Sequence, residues 1–151
     1  MKKIAYILIA LMLSASIKAQ DTVNYVGPIF TVTYSQKLEQ PLRLSYTVLC
    51  PFGEADRAGM DFYEPKAIHT SDGLDYLDNK WDKGHLAPAA AFSCSKDTLK
   101  MTFSYLNSAL QHESLNRGPW AKLEMFERNL ARVYDEVNVT VICHFSERSE
   151  V

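Results

Sequence analysis

The stretch Trp81-Asp82-Lys83-Gly84-His85-Leu86-Ala87-Pro88-Ala89-Ala90-Ala91, with Asn116-Arg117-Gly118-Pro119-Trp120 heading a periodic segment further on, decides the fold. Trp81–His85 reads as a short strand or turn, and the small residues behind it let a backbone or a ligand approach closely. Residues 101–106 (Met-Thr-Phe-Ser-Tyr-Leu) read as a second strand. From about 117 to 133 the pattern becomes helical, with Trp120, Leu123, Phe126 or Glu127, Leu130 and Val133 recurring every three or four residues. Pro119 is tolerable in a first turn, where its missing N–H is not needed. Asn116 then falls at the helix entrance as a cap. Glu124, eight residues on, lies close to the same face.

Outward from this strand–strand–helix unit the chain is β-rich. Residues 25–32 are β-forming and 42–48 alternate with period two, with Gln40-Pro41 as the turn before the second run. Residues 51–80, rich in Gly, Pro and Asp, read as a long loop, and long ordered loops tend to be functional. Residues 137–145 read as a buried strand. The expected class is α+β, with an antiparallel sheet.

At 151 residues, with 47% hydrophobic and 23% charged, the composition is that of one globular domain rather than a disordered chain. Lys2 and Lys3 precede an apolar run from Ile4 to Leu13 and small residues up to Ala19, the form of a secretory signal. The run is about half of the ~20 residues a spanning helix needs. We therefore expect residues 1–19 to be a signal, residues 20–151 to be the working domain, and the mature chain to be periplasmic or extracellular with no membrane segment. The chain carries −2, and three lysines lie within residues 1–19, leaving −5 for the rest. A net acidic protein has no global field for a polyanion, so nucleic-acid contact needs a local patch. Arg117, Lys122, Arg128 and Arg132 on the helix are its candidates. Cysteines 50, 94 and 143 are an odd count for an exported chain. They allow one disulfide and a free thiol, or three thiols. A zinc site at Cys94, Cys143 and His144 has no spacing motif to support it.

The residues able to do chemistry follow the same order. His85, with an ordinary pKa of about 6.5, can take a proton from water near neutrality. The amide oxygen of Asn116 suits Mg²⁺, which prefers oxygen and keeps several waters; Glu124 can hydrogen-bond those waters. Asn107 can orient the histidine or a phosphate. Taken singly, each has a plainer role: a structural histidine, a helix cap, a solvated carboxylate, a turn residue.

Taken together they resemble the sugar-non-specific DNA/RNA endonucleases of the ββα-metal class. Asp82-Lys83-Gly84-His85-Leu86-Ala87-Pro88-Ala89 matches that family's D-R-G-H-x-A-P-A motif. Asn107, Gln111, Asn116 and Trp120-Ala121-Lys122-Leu123-Glu124 match its later positions, and Asp56-Arg57, Asp61-Phe62-Tyr63-Glu64 and Asp75-Tyr76 its earlier ones.

The resemblance implies a ββα-metal finger on an antiparallel sheet and a Mg²⁺-dependent endonuclease, with Mn²⁺ able to substitute, acting on DNA and RNA. It implies His85 as general base, Asn116 as the protein ligand of one metal ion and Glu124 as holder of metal-bound water. Asn107 supports the site and Arg57 stabilises phosphate charge. Lys83 and Arg117 are the expected substrate contacts. Lys83 stands where the family usually has arginine, and lysine cannot reproduce a two-pronged pattern; Ala91 stands where a polar residue is frequent. Relatives continue with further sheet strands, so part of the C-terminal scaffold is expected to be missing. An unpaired 137–145 edge would then favour a homodimer. The rival readings are a catalytically silent nuclease-like module that binds nucleic acid or a partner, and a structural protein of the cell envelope.

Overall fold

The structure is a computed structural model and describes residues 21–145; the signal expected at 1–19 lies outside them. In chain order the strands are β1 (Thr22–Val26), β2 (Phe30–Ser35), β3 (Gln40–Val48), β4 (Trp81–His85), β5 (Ser108–His112) and β6 (Val137–Ile142). The helices are α1 (Lys96–Met101), α2 (Glu113–Leu115) and α3 (Ala121–Tyr134), with a π-helical turn, Asn116–Trp120, between the last two. A four-stranded antiparallel sheet runs β1-β2-β3-β6, and β4 and β5 form a separate antiparallel pair.

Period-two alternation builds the main sheet. Phe30, Val32 and Tyr34 of β2 and Leu44, Tyr46 and Val48 of β3 are buried together, with Phe30 opposite Tyr46 and Val32 opposite Leu44. Val137, Val139 and Val141 of β6 extend that face. Leu86, Ala87, Ala91, Phe92, Leu106 and Ala109 close over it from the β4–β5 side. Each large side chain buried in this way contributes roughly 1.5–3 kcal/mol.

Several local expectations are corrected here. Residues 25–32 are not one strand, because Gly27-Pro28 breaks the run and Gly27 N donates to Phe30 O (3.0 Å). Gln40-Pro41 is not a turn but the start of β3. The turn precedes it, with Glu39 in the left-handed region (φ 51°). Pro41 sits opposite Tyr34, where the register slips, a bulge that tolerates a residue without an N–H. Residues 101–106 are not a strand. The Ser95 side chain caps α1 by accepting from Thr98 N (3.1 Å), and a 3₁₀ turn, Tyr105–Asn107, follows. Phe103 and Tyr105 mimic sheet alternation because both pack on Phe62, with ring centroids 5.4 and 5.5 Å away. The strand expected over residues 137–145 ends at Ile142 and is a half-buried edge strand, paired with β3 alone.

The long loop is held at intervals. A disulfide joins Cys50 to Cys94, leaving Cys143 free and withdrawing Cys94 from any zinc site. Gly53 is needed beside it, since an added Cβ would lie 2.2 Å from the Ser93 backbone. Ala55 N donates to Ser93 O (2.8 Å), Tyr63 N to Phe103 O (2.9 Å) and Ser71 N to the Tyr34 hydroxyl (3.1 Å). The loop is thus carried back to β4 as a fixed wall.

The helix differs most from expectation. It begins earlier, with His112 as the cap whose Nδ1 accepts from Ser114 N, so Asn116 lies inside helical backbone (φ −57°, ψ −49°) and is not the cap. Pro119 lies in the π turn rather than in a first turn. A wider turn accommodates a residue that has no N–H and would otherwise crowd the preceding carbonyl. The residues α3 buries are Glu127 and Ala131, while Leu123, Phe126 and Val133 are exposed. The Tyr46 hydroxyl donates to Glu127 Oε2 (2.6 Å), which ties the helix to the sheet through a polar contact.

Candidate active site

β4, the π turn and α3 enclose a cleft of about 370 Å³, closed by the long loop and by Ala89, Ala90 and Phe103. Arg57, Asp61 and Phe62 from the loop, Lys83 and His85 from β4, Asn116 from the π turn and Glu124 from α3 all line it. Four residues expected to act together therefore meet here: Arg57, His85, Asn116 and Glu124. Lys83 joins them.

His85 is held by shape. Its ring packs against Phe62 (4.7 Å) and edge-on to Phe103 (4.9 Å). Its backbone carbonyl accepts from Trp120 Nε1 (2.9 Å), which docks the helix onto β4. Gly84 precedes it because the Gln111 side chain crosses there, 2.4 Å from where a Cβ would stand. Burial, with the charge of Arg57, lowers the imidazole pKa from 6.5 to about 4, so the ring is neutral at physiological pH. Its Nε2 is buried with no hydrogen-bond partner among the described residues, a deficit of roughly 1–3 kcal/mol for a neutral group.

Glu124 is the second perturbed group. Burial pushes its carboxyl up to about 7; Glu127 adds to the rise, and Arg128 and Arg57 oppose it. Lys83 lies between Asp61 (3.3 Å) and the faces of Phe62, Tyr76 and Tyr105, 5.5 to 6.0 Å from their centroids. It is a point charge already paired rather than a free fork.

Asn116 has a determined orientation. Its Nδ2 donates to Asp82 Oδ2 (2.9 Å). A carboxylate only accepts, so the atom facing it must be the NH₂, which leaves Oδ1 as the amide's remaining polar atom. The described residues hold no cluster of three or more His, Cys, Asp or Glu able to grip a cation. This donor set, one amide oxygen with a carboxylate near it, suits a hard cation that keeps most of its waters. It does not suit a soft metal that wants thiolate or several imidazoles.

Two expected site residues lie elsewhere. Asn107 is fully buried and does not line the cleft. It accepts from Ala87 N (2.7 Å) and donates to Ala87 O (2.9 Å) and Thr102 O (2.8 Å), clamping the backbone just past His85. Arg117 does not line the cleft either; Nε and Nη2 grip Asp82 (2.9 and 2.7 Å) and Nη1 reaches Glu113 (3.2 Å). The expected basic stripe is also dispersed. Arg132 donates to Pro51 O and stacks on Phe52, and Arg128 lies beside Glu124 and Glu127. The residue not singled out from sequence is Asp82. It stood in the motif, but its partners are 34 and 35 positions away and carry no local signal.

An antiparallel pair and a helix presenting a neutral imidazole, a fixed amide and a raised carboxyl to one cleft define a ββα nuclease-type site. The chain belongs to the DNA/RNA non-specific endonuclease family, whose model matches residues 18–150. It is 35% identical to mitochondrial endonuclease G of Bos taurus over 101 residues, 65% of this chain and 34% of that protein. It is 39% identical to the mitochondrial nuclease of Saccharomyces cerevisiae over 89 residues, 56% of this chain and 27% of that protein. The chain thus spans about a quarter to a third of the length of these relatives. The fold matches a crystal structure of the EndoG/EndoGI complex with a TM-score of 0.72 at 23% identity, over 84% of this chain and 57% of that one.

Proposed function

We propose that this protein hydrolyses phosphodiester bonds of DNA and RNA endonucleolytically, without strong sequence preference, with one divalent metal ion at Asn116. The observation that carries the reading is the convergence of His85, Asn116, Glu124 and Arg57 on one cleft. Asn116 Oδ1 would be the protein ligand, and Glu124 would accept hydrogen bonds from the ion's waters. Bound there, Mg²⁺ or Mn²⁺ would act as a Lewis acid on the scissile phosphate and stabilise the leaving oxygen.

The protein's own groups do the rest. His85 takes the proton of the attacking water as oxygen bonds to phosphorus and the bond to the leaving sugar oxygen breaks. An imidazole near 4 is a weak base in the free protein. The negative phosphate entering the cleft raises its proton affinity when it is needed. Arg57 faces the phosphate charge. Lys83 exchanges Asp61 for a phosphate oxygen, since both are anionic acceptors. These contacts are to the phosphate backbone, which carries no sequence information.

Export from the cytoplasm, with residues 1–19 as a signal, is part of the same reading. The Cys50–Cys94 disulfide supports it, because such bonds persist in oxidising compartments. No helix among the described residues is long and apolar enough to cross a membrane.

Nicking of supercoiled plasmid by the purified chain is the test. Cleavage should require Mg²⁺, stop with EDTA and fall about 10²–10⁴-fold in His85→Ala, the usual contribution of a general base. Undiminished nicking by that variant, or nicking indifferent to chelation, refutes the mechanism. Nucleic-acid binding without cleavage would instead identify a silent module.

A further inference from the structure

We propose that Asp82 is the positioning residue for the metal-ligand amide, and that Arg117 acts through it. Gripped by Arg117, the Asp82 carboxylate holds Asn116 with its oxygen turned toward the cleft. The inference rests on the reading of Asn116 as the metal ligand.

An asparagine amide is nearly symmetric in shape, and rotating it by half a turn exchanges an acceptor for a donor. Presented to a cation, the NH₂ end would repel it, so a single-ligand site depends on which end faces inward. Nothing on the helix itself settles that choice. Asp82 does, because it offers acceptor atoms alone, and its Oδ2 receives Asn116 Nδ2 at 2.9 Å. The carboxylate is itself fixed. Arg117 binds both of its oxygens in a two-pronged grip, 2.9 Å to Oδ2 and 2.7 Å to Oδ1. Glu113, one turn earlier, steadies the guanidinium from the other side (3.2 Å). Oδ2 thus receives both Asn116 and Arg117, and the carboxylate cannot turn from one without loosening the other.

The grip also spans the motif. Asp82 is on β4, and Asn116 and Arg117 are in the π turn, so the contact fixes the strand-to-helix separation at the ligand. Arg117, expected to bind substrate, is a support instead. Lysine at 117 would keep the charge but lose the fork that immobilises Asp82.

The experiment is Mn²⁺ binding by the full chain, measured by calorimetry and by the EPR signal of free ion, for wild type, Asp82→Asn, Arg117→Gln and Asn116→Ala. Asp82→Asn keeps the shape of the side chain but adds a donor, so the Asn116 amide is free to flip. Wild type should bind one ion and Asn116→Ala none. Asp82→Asn should bind 10–100-fold more weakly, the usual effect of losing an outer-shell partner, and Arg117→Gln several-fold more weakly. Nicking by Asp82→Asn should recover at saturating Mg²⁺, a change in metal requirement rather than in turnover. Asp82→Asn and Arg117→Gln proteins that both melt normally and bind Mn²⁺ within twofold of wild type overturn the inference. Absence of binding by wild type, or unchanged binding by Asn116→Ala, removes the Asn116 reading itself. Arg117 is largely solvent-exposed, so its variant tests the idea even if Asp82→Asn misfolds.

Discussion

On the side of α3 turned to the sheet and the cleft stand Glu124, Glu127 and Ala131; on the flank reached by solvent stand Leu123, Phe126 and Val133, 42, 56 and 71% exposed. An ordinary surface helix has these the other way round. The inner side gives up apolar burial for two carboxyl groups, one bonded to Tyr46 and one pushed up to about 7. Strain of this kind collects where a protein does chemistry and is offset elsewhere. Here the offset is the β2–β3 core.

The contrast can be broken from the inside first. His85, depressed from 6.5 to about 4, contributes stability that is full above pH 6.5 and is lost as pH falls through 4. That is roughly 3 kcal/mol in favour of the neutral ring. Urea unfolding should show wild type losing about that much more stability between pH 7 and pH 4 than His85→Gln; parallel losses would show the ring to be freely solvated.

Glu124→Gln comes next. Nicking should fall about 10–100-fold, as expected for an outer-shell metal partner. A raised carboxyl stabilises the fold when protonated and destabilises it as pH rises through about 7. The variant should therefore melt higher than wild type at pH 8 and lose that advantage at pH 5. The activity of wild type should rise as pH passes about 7, a limb the variant lacks.

Tyr46→Phe leaves a buried Glu127 without its donor and should lower stability by about 1–3 kcal/mol in thermal melts. The smallest effect belongs outside. Leu123→Lys and Phe126→Lys should each change stability by less than about 0.5 kcal/mol. They should reduce any concentration-dependent association seen by sedimentation to which this exposed apolar flank contributes.

The inversion of α3 also shows what the chain discloses before it is folded. Periodicity located the helix, and the order of His85, Asn116 and Glu124 located the cleft. Which stripe faces inward does not follow from that periodicity, because the apolar stripe is the wrong guide where carboxyl groups are buried. Asn107 was legible as important, but not as a backbone clamp, since its partners Ala87 and Thr102 are peptide groups without side-chain signature. Arg117 resembled a substrate contact because Asp82, its actual partner, lies a whole strand and loop away. The run at 101–106 reads as a strand because two aromatics converging on Phe62 reproduce the alternation of a sheet.

The π turn at Asn116–Trp120 has a rotational consequence. On an unbroken α-helix, residues eight apart diverge by about 80° around the axis. A single wide turn acts as one inserted residue, so Asn116 and Glu124 are spaced like a heptad and diverge by only about 20°. Pro119, which does not fit the regular winding, thereby brings the Asn116 amide and the Glu124 carboxyl nearly into line on a common wall of the cleft.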